Sequence, residues 1–399
     1  MSPVRAHAAK ERTASDAFQE ALRVAAKNAE DVDRQGRFPS EGIDALRAAG
    51  ALGWQVPRDY GGAGAPIDDL AAATFELARR CASTGLVFAM HQIQVSVIVR
   101  HLSNSTWFKK YLECVVSDQR LIASATSELG VGGDLRRSIA AIEPVSDSGG
   151  NLVRFQKNAS TISYGAHADD LLTTVRRGPN ADQGDQVLVL THLSEMETEQ
   201  TSEWDTLGMR GTCSPGFIVR ARCLPDQILP VPFATIAEET MVPASHILWA
   251  HVWLGLSTDA FERAQNFVRA QARQNPGTSP PSALRLSDLC VRLAEFRALV
   301  NAVTNEFISL SEVAGRPGFS AVSYAIRINN LKIAASEAAI EICQGALSVC
   351  GFAGYTNGGQ YSVGRHLRDA HSAALMITND RLRVTNATLL LLHLHSDLK

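Results

Sequence analysis

The stretch Ala125-Thr-Ser-Glu-Leu-Gly-Val-Gly-Gly-Asp134 places hydroxyls, two carboxylates and three glycines shortly after the apolar run Leu121–Ala123. Glycine has no Cβ, so the backbone there can approach a flat ligand closely. The neighbouring Ser and Thr hydroxyls, together with free backbone N–H groups, can hydrogen-bond the polar edge of such a ligand. The stretch therefore predicts either a ligand-binding loop or a plain glycine-rich turn between two strands. The other motifs of the chain decide between these two interpretations.

Four further motifs accompany this stretch. They are Val56-Pro-Arg-Asp-Tyr-Gly-Gly-Ala-Gly64 upstream, and Trp204-Asp-Thr-Leu-Gly-Met-Arg-Gly-Thr-Cys-Ser214, Gly351-Phe-Ala-Gly-Tyr355 and Arg365-His-Leu-Arg-Asp369 downstream. In this order the set resembles the acyl-CoA dehydrogenase superfamily of flavoproteins, over nearly the whole chain. The resemblance implies an α+β fold that is mostly α, with an N-terminal helical domain, a middle β-barrel domain and a C-terminal four-helix bundle.

The spacing of apolar residues agrees with that order. Apolar positions recur at helical spacing up to about residue 120 and again after Pro230–Pro232. Between them lie short runs rich in Val, Ile, Leu and Thr, such as Leu171–Val175 and Val187–Thr191, which are typical of a barrel or sandwich. We predict domains at 1–120, 121–236 and 237–399, with the last bundle helix running over Arg368–His395.

The resemblance implies a flavin bound between the β domain and the C-terminal bundle, with FAD expected before FMN. Thr126, Ser127 and Gly132 fall in the family's first flavin-binding loop, and Ser127 matches the Ser or Thr that contacts the isoalloxazine edge. Ser163, in Thr161–Asp169, matches the hydroxyl that approaches the reactive nitrogen of the flavin. The family usually has Trp where this chain has Thr161, so one cover of the ring is absent.

A second group of cofactor residues is implied from a neighbouring subunit. Gly351 and Gly354 match the loop that meets the dinucleotide part of FAD, and Arg273 stands near the place of an Arg that also reaches it. The usual Gln of that loop is Ser348 here, and the second glycine of its pair is Phe352. A homotetramer or homodimer is implied with the site, and the apolar segment Leu389–Leu394 is a further reason to expect one.

The catalytic base of the family is missing. Removal of a proton α to a thioester carbonyl needs a positioned carboxylate. In most members it is a Glu about nine residues after the Arg-Asp pair, which here leads to Met376–Thr378. In a second subgroup the Glu falls at the position of Ser245, beside His246. We take Asp380 and His246 as the candidate catalytic residues.

Each candidate base has a plain structural alternative. Asp380 lies about one helical turn past the expected position, and it could equally be a solvated carboxylate or pair with Arg381. His246, and the further candidates His251 and His371, could equally be hydrogen-bonded or surface histidines.

Three functions remain open at this stage. The favoured interpretation is dehydrogenation of an acyl thioester, carried by CoA or an acyl carrier protein, with an atypical base, as for an unusual acyl group in secondary metabolism. Electrons would then pass to an acceptor flavoprotein or to O2. The first alternative is a monooxygenase of the same fold that uses reduced flavin with O2, and the second is a flavin- or acyl-binding relative without turnover.

Composition excludes several other classes. The 399 residues carry a formal net charge of −3, so no global basic surface is available to bind nucleic acid. We find no run of 18 or more apolar residues that would span a membrane. The seven cysteines have no CxxC spacing, which favours small buried hydrophobic residues in a reducing cytoplasm, and the eleven histidines contain no metal-ligand motif.

Overall fold

The computed structural model describes residues 15–145, 152–274, 276–312 and 317–392 of the chain. The N-terminal part is helical up to residue 117, as the spacing of its apolar residues predicts. Its helices are Asp16–Gln35 (α1), Ser40–Ala48 (α2), Ile67–Arg80 (α3), Ala82–His101 (α4) and Thr106–Ser117 (α5). The hydroxyl of Ser15 caps α1 by accepting a hydrogen bond from the Phe18 N–H, and α1 ends at Gly36 in a left-handed conformation.

Helix α4 is the central helix of this part, and nearly all its side chains are buried. Together with Val322–Cys350 it is long and apolar enough to cross a membrane, judged by length and composition alone. In the most apolar windows of these two helices, 89% and 50% of the residues are buried inside the protein. A core helix passes the same test, so the observation is weak evidence for a membrane span.

The middle part contains two small sheets built from the strands Ile122–Ala125 (β1), Glu143–Pro144 (β2), Val153–Ala159 (β3), Asp170–Arg176 (β4), Gln186–His192 (β5), Met196–Gln200 (β6) and Phe217–Cys223 (β7). One sheet has the order β1-β4-β5, with β1 parallel to β4, and the other has the order β2-β3-β7-β6 and is antiparallel. In β3 and β7 buried and exposed residues alternate, because one face of their sheet packs on the core. Because β1 and β4 are parallel, both strands end at the same edge of the sheet, and Thr126 follows β1 at that edge.

A buried ion network joins the N-terminal helices to the first sheet. The Asp170 carboxylate at the start of β4 accepts hydrogen bonds from Tyr111 of α5 at 2.7 Å and from Arg120 Nε at 2.6 Å. It also bonds His192 Nδ1, at the end of β5, at 2.6 Å. Although burial opposes ionisation, the bonds from Arg120, His192 and Tyr111 lower the pKa of Asp170, which keeps the carboxylate charged.

The C-terminal part begins with the short helix Phe233–Ile236 (α6) and one π-helical turn, Ala237–Met241. Four long helices follow: Val242–Gln274 (α7), Ser282–Glu312 (α8), Val322–Cys350 (α9) and, after the short helices Phe352–Tyr355 (α10) and Gly364–His371 (α11), Asn379–Leu392 (α12). Helix α9 packs against α7, α8 and α12. The chain is therefore mostly helical, with helical parts at both ends and a small sheet region between them.

The last predicted helix is interrupted. We predicted one helix over Arg368–His395, but residues 372–378 form turns between α11 and α12, and the predicted end beyond Leu392 lies outside the described residues. Ile377 has φ +47°, which a β-branched residue adopts only under constraint. The constraint is visible, because the Ile377 carbonyl accepts a hydrogen bond from the buried Lys332 ammonium of α9 at 2.8 Å.

The Arg368-Asp369 pair of α11 connects the bundle to the N-terminal helices and to the middle part. Arg368 forms an ion pair with Asp33 of α1, and one of its hydrogen bonds to that carboxylate measures 2.8 Å. The Asp369 carboxylate accepts a hydrogen bond from the Met209 N–H at 2.6 Å, within the Trp204–Ser214 segment. A Cβ at Gly208 would lie 2.1 Å from the Arg368 carbonyl oxygen, so only glycine permits this approach.

Candidate functional site

The structure brings the two predicted flavin loops together. Ser127 lies two residues beyond β1, and its hydroxyl donates to the Thr161 carbonyl at 2.6 Å and accepts from the Thr161 N–H at 3.1 Å. The Leu129 N–H donates to the Asn158 carbonyl at 2.9 Å, one turn further along. Thr126 and Ser127 are both half-buried beside this junction. The two loops therefore form one continuous ledge at the edge of the β domain.

Glu128 shapes the first loop from inside. Its buried carboxylate accepts hydrogen bonds from the Ser138 hydroxyl and from the Ile139 and Ala140 N–H groups, at 2.7, 3.1 and 2.7 Å. The buried Lys157 ammonium lies 3.1 Å from the same carboxylate. Burial opposes ionisation, yet Lys157 and Ser138 lower the pKa of Glu128 overall. These bonds connect Glu128 to residues 138–140 and to Lys157 of β3, and they fix the path of the loop. Because both carboxylate oxygens are hydrogen-bonded within the protein, Glu128 is not free to act as a catalytic base.

A chain of hydroxyl groups ends at Ser163. The Ser214 hydroxyl lies 2.9 Å from the Ser163 hydroxyl, to which it donates, and 2.9 Å from the Thr212 hydroxyl. The Thr212 hydroxyl has one proton, which it donates either to Ser214 or to the Met209 carbonyl at 2.8 Å. When Ser214 donates to Ser163, the proton of Ser163 remains available to a group outside the protein. Sequence reasoning missed Ser214, although it stands at the end of a motif that was singled out.

The glycines of the first loop have positive φ angles, and the backbone is open beside Gly132. Gly130, Gly132 and Gly133 have φ of +91°, +62° and +74°, a conformation that favours glycine. A Cβ at Gly132 would meet no atom within 4 Å. The Arg381 guanidinium, from the first turn of α12, donates to the Gly132 and Gly133 carbonyls. The predicted residue Gly132 thus lies where the β part and the bundle meet.

Residues 372–378 include Met376–Thr378, where the resemblance leads us to expect the base, and Ile377 is held there by a buried polar cluster. Lys332 Nζ donates to the Ile377 carbonyl and to the Asn379 side-chain oxygen, each at 2.8 Å. It also lies 5.9 Å from the centre of the Trp253 ring. Burial lowers the pKa of Lys332 to about 8. Neither Lys332 nor Asn379 was singled out from sequence, because a lysine in an apolar helix pattern gives no sign of what it contacts.

The two candidate bases lie in opposite surroundings. The side chain of Asp380 is 96% exposed and lies 3.5 Å from Arg383. His246 is buried in α7, and its Nδ1 bonds the Ile328 carbonyl at 3.1 Å while its Nε2 has no hydrogen-bond partner. Burial lowers the pKa of His246 to about 4, so the ring is neutral at physiological pH. His251 resembles it, since its Nδ1 bonds the Ile247 carbonyl at 2.9 Å, whereas His371 is exposed.

The residues implied to act from a neighbouring subunit lie on the surface. Arg273 is exposed in the last turn of α7, and Gly351 ends α9 with φ +55°. Phe352 and Tyr355 beside it are 86% and 71% exposed. Gly354 is buried, and a larger residue would not fit there because its Cβ would lie 2.6 Å from the Cβ of Cys350. Within the described part of this single chain, none of these residues forms a hydrogen bond with either flavin loop.

The residues present fit a flavin. The ledge offers open glycine backbone, a hydroxyl with an available proton at Ser163 and a cation at Arg381, and these match the flat ring and the phosphate of such a ligand. In the described part of the chain no group of three or more His, Cys, Asp or Glu side chains could hold a metal ion.

Two family models match the chain. The N-terminal domain model of the acyl-CoA dehydrogenases matches residues 8–119, and their C-terminal domain model matches residues 237–376. The chain belongs to the acyl-CoA dehydrogenase superfamily. It is therefore an enzyme of the flavin oxidoreductase type, as the motifs around Ala125–Asp134 predicted.

Curated relatives within the superfamily divide between two activities. A dibenzothiophene monooxygenase of Rhodococcus qingshengii is 24% identical, over 81% of this chain and 80% of the relative. A probable acyl-CoA dehydrogenase of Bacillus subtilis is 22% identical, over 86% and 88%. A probable FMNH2-dependent monooxygenase of Pseudomonas putida is 23% identical, over 82% of each chain.

Among solved structures, FMN-bound TdsC from Paenibacillus sp. A11-2 superposes with a TM-score of 0.82. The two sequences are 22% identical, and the match covers 95% of this chain and 98% of TdsC. This likeness establishes the fold, with helical parts at both ends and a small sheet region between them.

Proposed function

We propose that this enzyme is a flavin-dependent monooxygenase that uses reduced FMN and O2, and not a dehydrogenase of acyl thioesters. The observation that carries the proposal is the replacement of the base. Counted from the Arg368-Asp369 pair, the base of most dehydrogenases would fall within Met376–Thr378, where the Ile377 carbonyl is bonded to the Lys332 ammonium, and the buried Ser245 stands at the other base position. None of these side chains is a carboxylate that could remove a proton from carbon.

The remaining candidates are poorly suited to the task. A general base needs a pKa near the working pH and a position within reach of the substrate proton. The His246 pKa of about 4 makes its ring a weak base, and the Asp380 carboxylate points into solvent towards Arg383. The buried Lys332 ammonium donates to the Ile377 carbonyl and to the Asn379 side chain, so its protons are held by bonds within the protein.

In a monooxygenase no such base is needed. When bound, reduced flavin supplies two electrons to O2, so that one oxygen atom enters the substrate and the other leaves as water. The protein's own task is then to hold the ring, to keep water away and to direct one hydroxyl proton. The ledge joined by Ser127 and Thr161 holds the ring edge, and the Ser214 hydroxyl orients Ser163.

Two of the three curated relatives support this proposal, because they bear monooxygenase names and one of them is called FMNH2-dependent. The FMN in the TdsC structure supports FMN over FAD. The dehydrogenase interpretation keeps its own support in the third relative and in the Arg368-Asp369 pair, which packs against the Trp204–Ser214 segment. We therefore retain it as the second candidate.

One experiment with two arms separates the candidates. In the first arm, the protein loaded with oxidised flavin is mixed without O2 with a panel of acyl-CoA thioesters, and the flavin absorbance is followed. In the second arm, the protein is supplied with FMN, NADH, a flavin reductase and isotopically labelled O2, together with a panel of aromatic sulfur and nitrogen compounds. We expect no bleaching in the first arm and labelled organic product in the second.

The opposite pattern would reverse the assignment. Rapid bleaching by a thioester, with no label incorporated in the second arm, establishes a dehydrogenase with an unusual base. A protein that binds no oxidised or reduced flavin at micromolar concentration would contradict both candidates.

A further inference from the structure

We infer that Arg381 binds the phosphate group of the flavin from within the same chain, so that this subunit supplies its own phosphate-binding cation. The inference rests on the proposed flavin site and extends it to a residue that the resemblance did not mark. It assigns the first turn of α12, and not only a neighbouring subunit, to recognition of the charged end of the cofactor.

The position of Arg381 points to this role. Its guanidinium donates to the carbonyls of Gly132 and Gly133, five and six residues beyond Ser127 in the same flavin loop. Ser127 is expected at the ring edge, and the glycines bonded to Arg381 lie further along the same loop, which is where we place the phosphate end of the flavin. Gly132 leaves open space beside its backbone, with nothing within 4 Å of a Cβ built there.

The hydrogen-bonding capacity of Arg381 is only partly used. A guanidinium has five N–H donors in a planar fork, and this geometry matches phosphate oxygens. The Gly132 and Gly133 carbonyls take one donor each from the two terminal nitrogens, which leaves three N–H groups. Two of the three lie on one edge of the fork and can bind two phosphate oxygens together.

The charge of Arg381 is also uncompensated. Within the described parts of the chain no carboxylate lies within ion-pair distance of its guanidinium. Asp134, in the same loop, accepts a hydrogen bond from the Arg136 N–H at 3.0 Å instead. The neighbouring carboxylates Glu337 and Asp380 pair with Arg383, two residues further along α12. Arg381 is thus a cation at the cofactor loop that lacks an anionic partner, and a phosphate would supply one.

Arg383 offers a matched control on the same helix. It is an arginine of the same helix end, but its charge is neutralised by Glu337 and Asp380 and it makes no bond to the flavin loop. Replacing either arginine by glutamine removes one positive charge from the first two turns of α12. Arg381 differs from Arg383 in its contact with the flavin loop, and only a contact with the phosphate would make FMN and riboflavin binding respond differently to its replacement.

The test measures binding, not turnover. Dissociation constants of FMN and riboflavin, which differ only in the phosphate, are determined by fluorescence titration for the wild-type protein, Arg381→Gln and Arg383→Gln. We expect Arg381→Gln to weaken FMN binding roughly tenfold to a hundredfold, the usual worth of charged hydrogen bonds, and to leave riboflavin binding within about twofold. Arg383→Gln should change neither constant by more than about twofold. Inorganic phosphate should compete with FMN on the wild-type protein and lose most of that effect on Arg381→Gln.

The outcomes separate this inference from the proposed function. Equal weakening of FMN and riboflavin by Arg381→Gln would show that Arg381 only shapes the loop, and it would overturn the inference while leaving the flavin site intact. Unchanged FMN binding in Arg381→Gln would overturn it as well. A wild-type protein that binds neither FMN nor riboflavin would overturn the proposed function and this inference together. Thermal unfolding of each variant confirms that it is folded before titration.

Discussion

Met376–Thr378 and Ser245, the two places where the resemblance leads us to expect a catalytic carboxylate, carry none. The backbone of Ile377 lies in the left-handed region, and its carbonyl accepts a hydrogen bond from Lys332 that holds it in this conformation. Strain of this kind persists only where surrounding contacts impose it. The loss of the base is therefore accompanied by a specific local structure, and residues 372–378 are not an unstructured gap.

Replacement of the candidate bases tests this account at the residue scale. Asp380→Asn and His246→Gln should each change the rate of product formation with reduced FMN and O2 by less than about tenfold, because neither group is needed as a base. A true base is worth about 10² to 10⁴ in rate. Steady-state rates should be compared with those of Asp226→Asn, a variant of an exposed carboxylate in the β part. A loss of a hundredfold or more in either variant, with flavin binding intact, would restore that residue as the base.

At the scale of elements, the sequence predicted those features that depend on local spacing. The first predicted flavin loop was located from hydroxyls and glycines that follow an apolar run and the second from the family resemblance, and the structure joins them through Ser127 and Thr161. Contacts between distant segments could not be predicted. Lys332 reaches Ile377 across 45 residues and Arg381 reaches Gly133 across 248, and no local pattern marks such pairs.

The same limit explains the wrong helix prediction over Arg368–His395. The apolar spacing there is compatible with one helix, but tertiary contacts break it at residues 372–378. Within the break, the Ile377 carbonyl accepts a hydrogen bond from the Lys332 ammonium of another helix. Asp380 then begins a new helix, with its side chain 96% exposed.

The junction between α5, β4 and β5 makes a prediction about pH. The bond with Asp170 raises the pKa of His192, so the folded protein holds that proton more tightly than the unfolded chain does. The resulting stability is fully present below the unfolded pKa of about 6.5 and is lost as pH rises through the higher folded pKa. The wild-type melting temperature should therefore fall on going from about pH 6 to about pH 8, and His192→Gln should show a smaller fall.

The exposed His371 provides the control, since His371→Gln should keep the wild-type response. Differential scanning fluorimetry over this range measures all three proteins. Indistinguishable pH responses of His192→Gln and the wild type would contradict a proton held by Asp170. Tyr111, Arg120 and Glu195 also surround the ring, and all three remain unchanged in the variant.

For the whole molecule, the exposed apolar residues of the bundle predict self-association. Phe352, Tyr355, Val384 and Leu391 are 86%, 71%, 68% and 88% exposed, which is unusual for such side chains on a free surface. Within the predicted segment Leu389–Leu394, Leu390 is exposed beside Leu391, and the residues after Leu392 lie outside those described. We expect a homodimer or homotetramer, in which two-fold symmetry pairs identical helix faces.

Light scattering at micromolar concentration measures this directly. Phe352→Ser should shift the protein towards a smaller species, while Leu207→Ser, which alters an exposed leucine of the β part, should not. A wild-type protein that is monomeric at this concentration would contradict the prediction. The phosphate role of Arg381 would be unaffected, because that contact lies within one chain.

Rapid mixing of the protein–reduced FMN complex with O2 tests the central claim most directly. A monooxygenase must control the reaction of its reduced flavin with O2, so we predict that the bound flavin returns to its oxidised form in more than one kinetic phase and more slowly than free reduced FMN. The Ser163→Ala variant should shorten the slow phase, because the hydroxyl oriented by Ser214 is lost. Reoxidation identical to that of free FMN, together with anaerobic bleaching of the oxidised enzyme by an acyl thioester, would contradict the account and identify a dehydrogenase.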